Sequence, residues 1–215
     1  MIVGHYSAAL AARRVAPTVA LWHLFVAVQL IDIVFSAFVL LGVEKLRIVP
    51  GITRSNALDL HYMPYTHSLV GAIVWSLIAG GLYAVWRKGE VSTRAGVVIG
   101  VAVFSHWLLD LPVHRPDLPL YDDAYKVGLG LWNAPVAAFL LEAVLVVASL
   151  VAYGTGAPST RPTRRALVIF GAVLLAVTVW SYAGPDAPSA GAAVGSGLFL
   201  YAVFAMVAAR IDRAC

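Results

Sequence analysis

Residues 97–113 read VVIGVAVFSHWLLDLPV, an apolar run broken only by His106 and Asp110 as metal-competent groups. The run is long enough to enter a bilayer as a helix. On a helix, residues i and i+4 lie on one face, so the imidazole and the carboxylate stack together. Neither belongs in hydrocarbon without a partner. The pair is half of a metal site, and the rest of the chain has to supply the other half.

Working outward, apolar runs recur. The chain has 215 residues, 61% hydrophobic and 12% charged, and its mean hydropathy is +0.86. Soluble domains carry about 25% charged residues. The expected fold class is therefore all-α: a polytopic integral membrane helix bundle of about six transmembrane helices. The spans are expected at 18–43, 66–86, 95–113, 129–153, 166–183 and 192–209. Residues 1–215 read as a single transmembrane domain, with site-bearing helices in 1–153 and two plain structural helices in 166–209. The basic stretch 157–165 separates the two parts. No internal repeat is evident. The first span is expected to be retained, because no small-residue cleavage site follows it. The lone Cys215 allows no intramolecular disulfide.

The net charge of +4 marks cytoplasmic loops in such a protein and is not a nucleic-acid signature. With six spans, one side collects Arg13, Arg14, Arg87, Lys88, Arg94, Arg161, Arg164, Arg165, Arg210 and Arg213. The other holds only Lys45, Arg47, Arg54, Arg115 and Lys126. The positive-inside rule then puts both termini in the cytoplasm of a multi-pass cell-membrane protein. His61, His67, His106, Asp110 and His114 all fall at the outer helix ends under that topology, a convergence the charge count did not build in.

Imidazole and carboxylate together suit zinc or another first-row divalent ion. Asp110 is either a ligand or the group that fixes an imidazole tautomer. Asp32 adds a carboxylate within the first span. His23 lies about 180° around that helix from Asp32 and reads as interfacial. Glu142 is isolated in the fourth span: it lines the same cavity, pairs with a buried donor, or is protonated. Arg115 is a surface charge or the partner of a phosphate beside the metal. At the start of the fourth span Trp132 reads as an interfacial belt residue and Asn133 as a substrate contact. Asp122 and Asp123 read as solvated.

The order Gly4-His5, Asp32, His61…Thr66-His67-Ser68 and Ser105-His106-x-x-x-Asp110 resembles the LexA-regulated, membrane-bound metal-dependent hydrolases. That family shows an early Gly-His, a Pro-Asp-x-Asp-type acidic motif, a His-Arg-Gly-x-Thr-His-Ser motif and a Ser-His-x-x-x-Asp motif. The resemblance covers residues 4 to 115. The His-x-x-x-Asp element is also remotely similar to one in zinc-dependent phospholipases C. This chain departs from the pattern in two places: Gln29-Leu30-Ile31-Asp32 has one carboxylate where the family has two, and His61-Tyr62-Met63-Pro64-Tyr65 lacks the family's arginine.

The resemblance implies a membrane-embedded metal-dependent hydrolase, and the one-sided cluster in a membrane protein makes a phosphoester or ester of a lipid or lipid-linked small molecule the expected substrate. Asp32, His67, His106 and Asp110 would hold the metal, with Zn²⁺ the expected ion, and His61 or His114 would carry protons. The resemblance also makes His5 a ligand. The charge count puts His5 on the opposite side, a conflict that a short re-entrant helix over residues 1–16 removes. The rival expectations are a proton- or metal-ion-coupled transporter and a scaffold whose polar groups only join helices.

Overall fold

The computed structural model describes residues 1–87, 92–156 and 161–214. Lys88, the 157–160 part of the basic stretch and Cys215 lie outside the described residues, as do the side chains of Arg161, Arg164 and Arg213. The protein is an α-helical bundle with one small hairpin.

Five helices are long and apolar enough to cross a membrane: α4 (Leu69–Arg87), α5 (Ser92–Val113), α6 (Pro135–Gly156), α7 (Arg161–Ala183) and α8 (Ala190–Ala214), numbered in chain order. Their outer faces stay apolar; Leu77 is 71% and Val168 73% exposed, as lipid contact requires. These helices coincide with the expected second to sixth spans, with shifted ends. The fourth begins at Pro135 rather than 129, because Gly130 turns the chain with φ +73° and proline suits a first helical turn. At the start of α4 the Ser68 hydroxyl accepts the Gly71 N–H at 2.9 Å, a side-chain cap.

The expected first span is not one helix. It is α2 (Leu21–Val28) and α3 (Leu30–Leu40), bent by 50° at Gln29. No proline or glycine stands at the joint, and side-chain bonds to the backbone explain the bend. Buried Gln29 donates from Nε2 to the Ile2 carbonyl at 2.8 Å, and the Val28 carbonyl pairs with His106 Nδ1 at 2.7 Å.

Before this pair runs α1 (His5–Val15). It spans about 16 Å, half a hydrocarbon core. Its last turn lies beside the ends of α6 and α8, with Arg13 Nη2 3.3 Å from Asp212 Oδ1 and Arg14 donating to the Ala152 carbonyl at 3.0 Å. Its first turn reaches the bundle interior. The segment 44–65, expected to be a loop, contains the antiparallel strands β1 (Lys45–Ile48) and β2 (Leu58–Tyr62). Alternation turns Leu46 and Leu60 inward. The hairpin covers the end of the bundle where α4, α6 and α8 begin.

Within the bundle, α4 and α5 pack most closely through glycines. A Cβ on Gly96 would lie 2.5 Å from the Gly80 carbonyl oxygen, so the backbones meet without side chains between them.

Candidate metal centre

Four parts of the chain converge beneath the hairpin. The first turn of α1 brings His5, the first turn of α3 brings Asp32, the residue pair ahead of α4 brings His67, and the last third of α5 brings His106 and Asp110. All five expected ligands meet. His67 Nε2 lies 3.3 Å from Asp32 Oδ1 and 4.0 Å from Asp110 Oδ2. His106 Nε2 lies 3.5 Å from Asp32 Oδ1 and 3.2 Å from Asp110 Oδ2. His5 Nε2 is 3.2 Å from Asp110 Oδ1, and its ring stacks on His106 at 3.7 Å. The α-amino group of Met1 also approaches Asp110 Oδ1, at 2.5 Å.

Outer hydrogen bonds fix which nitrogen faces inward. His106 Nδ1 pairs with a backbone carbonyl, which can only accept, so Nδ1 carries the proton. Thr66 Oγ1 donates to Glu44 Oε2 at 2.6 Å and therefore accepts from His67 Nδ1, 2.9 Å away. His114 Nδ1 sits 2.9 Å from Asp117 Oδ1, a carboxylate that again accepts. Each of these imidazoles thus turns Nε2 inward. At His106 and His67 those nitrogens face carboxylate oxygens, an arrangement made attractive by a proton on Nε2 or by a cation shared between the groups. His106 Nε2 and both nitrogens of His5 are buried with no hydrogen-bond partner.

A divalent cation fits this gap. Zinc binds imidazole and carboxylate at about 2.0–2.2 Å, which in a tetrahedron separates ligand atoms by roughly 3.3 Å. The distances of 3.2 to 4.0 Å bracket that value. His5 is fully buried beside His106, with neither ring nitrogen hydrogen-bonded.

Four expectations about individual residues change. His61 is not brought to the cluster: on β2 its ring stays near the Asp59 carbonyl, 3.4 Å away, and does not line the cavity. Strand alternation turns it aside, because Leu60 takes the inward position. Asn133 is exposed and outside the cavity, whereas Trp132 is buried, lines it, and sits 4.2 Å from the His114 ring. Arg115 is occupied: Nε bonds Asp117 Oδ2 at 3.0 Å, and Nη2 bonds Asp59, which also holds Arg47 at 2.6 Å. It braces the His114–Asp117 pair and does not face a ligand. Nor are the last two helices plain. Tyr201 of α8 donates to Asp32 Oδ2 and Tyr182 of α7 to Glu142 Oε1, each at 2.8 Å.

Glu142 both lines the cavity and pairs with buried donors. Its Oε2 accepts the Val3 and Gly4 N–H groups at 3.2 and 3.0 Å, which anchors the start of α1 and so places His5. Sequence reasoning missed Glu44, Asp59 and Asp117. The His114-x-x-Asp117 spacing was a usable signal. Glu44 and Asp59 carried none, since they act across the hairpin.

No known protein family, curated protein or solved structure matches this chain.

The cavity holds about 170 Å³. Its lining combines Asp32, His67, Asp110 and His114 with apolar side chains that include Leu46, Leu60, Val194 and Leu200.

Proposed function

We propose that the chain is a membrane-embedded metal-dependent hydrolase that cleaves an ester or phosphoester in a lipid-like substrate. One observation carries this reading: imidazole and carboxylate groups held by outer hydrogen bonds line a cavity together with apolar side chains. The motif order resembling the LexA-regulated membrane-bound hydrolases supports it as well. We assign His67, His106, Asp32 and Asp110 to a zinc ion, with His5 beside them. Such an ion acidifies a water molecule and polarises a carbonyl or phosphoryl oxygen. His114, held by Asp117, carries the proton between nucleophile and leaving group. Trp132 and the hairpin leucines exclude bulk water and seat the apolar part of the substrate. Both termini face the cytoplasm in this reading, by the excess of Lys and Arg. The eleven residues of α1 then lift His5 from the cytoplasmic surface to the depth of the site.

Metal analysis of purified wild type beside His67→Ala and His106→Ala tests the centre. Bound zinc in wild type and its loss in both variants is expected; equal, near-zero metal in all three overturns it. The bend at Gln29, next to Asp32, also suits a transporter, in which broken helices carry the ion site. Zinc or proton flux in proteoliposomes, abolished by Asp110→Asn, would establish that alternative.

A further inference from the structure

The cavity has a side opening and a charge balance, and together they narrow the substrate. Ser196 of α8 lines the cavity and is also exposed, so the cavity reaches the surface there. It stands six residues into α8, about 9 Å from the helix start, which is hydrocarbon depth for a helix that crosses a core of about 30 Å. Above the site the path to water is covered by the hairpin, where Leu46 and Leu60 are buried and the Ser55 hydroxyl bonds the Trp132 carbonyl at 2.6 Å. The walls carry the carboxylates of Asp32, Asp110 and Glu142, and among the described residues no Lys or Arg side chain lines them. A divalent ion and the Met1 ammonium, 2.5 Å from Asp110 Oδ1, together offset those three charges. A phosphate would add negative charge to a buried site with no Lys or Arg side chain among the described residues to offset it; an uncharged ester adds none.

We infer that the site takes an uncharged carboxylic ester bearing a long apolar chain, and that this substrate enters sideways from the bilayer past Ser196 of α8. The inference rests on the hydrolase reading above. In the reaction, water oxygen bonds to the acyl carbon, and the bond from that carbon to the alcohol oxygen breaks with its electron pair left on oxygen. The proton taken from water reaches that oxygen through His114, and acid and alcohol depart.

The test uses the full chain in phospholipid vesicles with zinc. The probes are p-nitrophenyl palmitate, p-nitrophenyl acetate and bis(p-nitrophenyl) phosphate. Ser196→Trp narrows the opening; Phe199→Trp, on an exposed α8 position outside the cavity, is the control. Ser196→Trp is expected to lower the palmitate-to-acetate ratio of kcat/KM by about tenfold or more, chiefly through KM, with the control within about twofold. An unchanged ratio in Ser196→Trp overturns sideways entry. Faster wild-type cleavage of the phosphate probe than of either ester overturns the ester class. Cleavage of none of the three removes the hydrolase reading itself. A readout without turnover is a fluorophore on Ser196→Cys in a Cys215→Ser background. Quenching by phospholipids with brominated chains is expected, and an unquenched signal overturns the opening to lipid.

Discussion

At the scale of single residues, the geometry of the candidate centre depends on groups outside the candidate ligand set. Glu44, 1% exposed, accepts the Tyr65 and Thr66 N–H groups at 2.9 and 3.0 Å as well as the Thr66 hydroxyl. It thereby sets the proton on His67. Outer partners of metal-bound histidines are worth about 10–100-fold in affinity or activity. Glu44→Ala is therefore expected to weaken zinc binding by that factor in competition with a chelator, while leaving the number of sites unchanged. Asp117→Asn should separate binding from chemistry. Zinc content should stay at the wild-type level and kcat should fall about 10–100-fold, because Arg115 claims the amide oxygen and the amide NH2 then faces His114 Nδ1, which favours the other tautomer; unchanged kcat would show that His114 is a bystander. His106 and Asp110 were legible in sequence because both stand in one apolar helix. Asp117 and Glu44 were not, because their value lies in which nitrogen they protonate.

At the scale of elements, close backbone approach and capping hold the site-bearing helices. Gly96 and Gly81 both stand in or beside the α4–α5 pair, but a Cβ at Gly96 would collide with the Gly80 carbonyl and Ala84, and one at Gly81 meets nothing within 4 Å. Relieving a helical glycine is worth about 0.5–1 kcal/mol, whereas overpacking costs about 1–3 kcal/mol. Gly81→Ala should raise the thermal unfolding temperature and Gly96→Ala should lower it, as read by melting in detergent. Glu142→Ala strands two backbone N–H groups and the Tyr182 hydroxyl at the start of α1. Each unsatisfied group costs about 1–3 kcal/mol, so the variant should melt earlier and also lose zinc affinity as His5 loosens. The spans themselves were readable from hydropathy. The 50° break between α2 and α3 was not, since bonds from Gln29 and His106 produce it rather than a proline or glycine in the local sequence.

At the scale of the whole molecule, the candidate ligands come from α1, α3, the approach to α4, and α5, so an ion there ties four separate segments together. Ligand present at about 100 times its Kd stabilises a fold by about 2.7 kcal/mol. Chelation is expected to lower the unfolding temperature of wild type and to leave that of His67→Ala unchanged; equal shifts in both would place the stabilising metal elsewhere. The amino-acid sequence by itself determined the membrane class, five of the six expected spans and the presence of a histidine–carboxylate pair, because apolar runs and i,i+4 spacing are properties of contiguous chain. Tertiary structure alone decided that His114 joins the cavity while His61 turns away, that Trp132 and not Asn133 lines it, and that Tyr201 reaches Asp32 from 169 residues along the chain. Those outcomes depend on strand alternation, helix bends and the direction of single hydrogen bonds between distant segments, which no local pattern encodes.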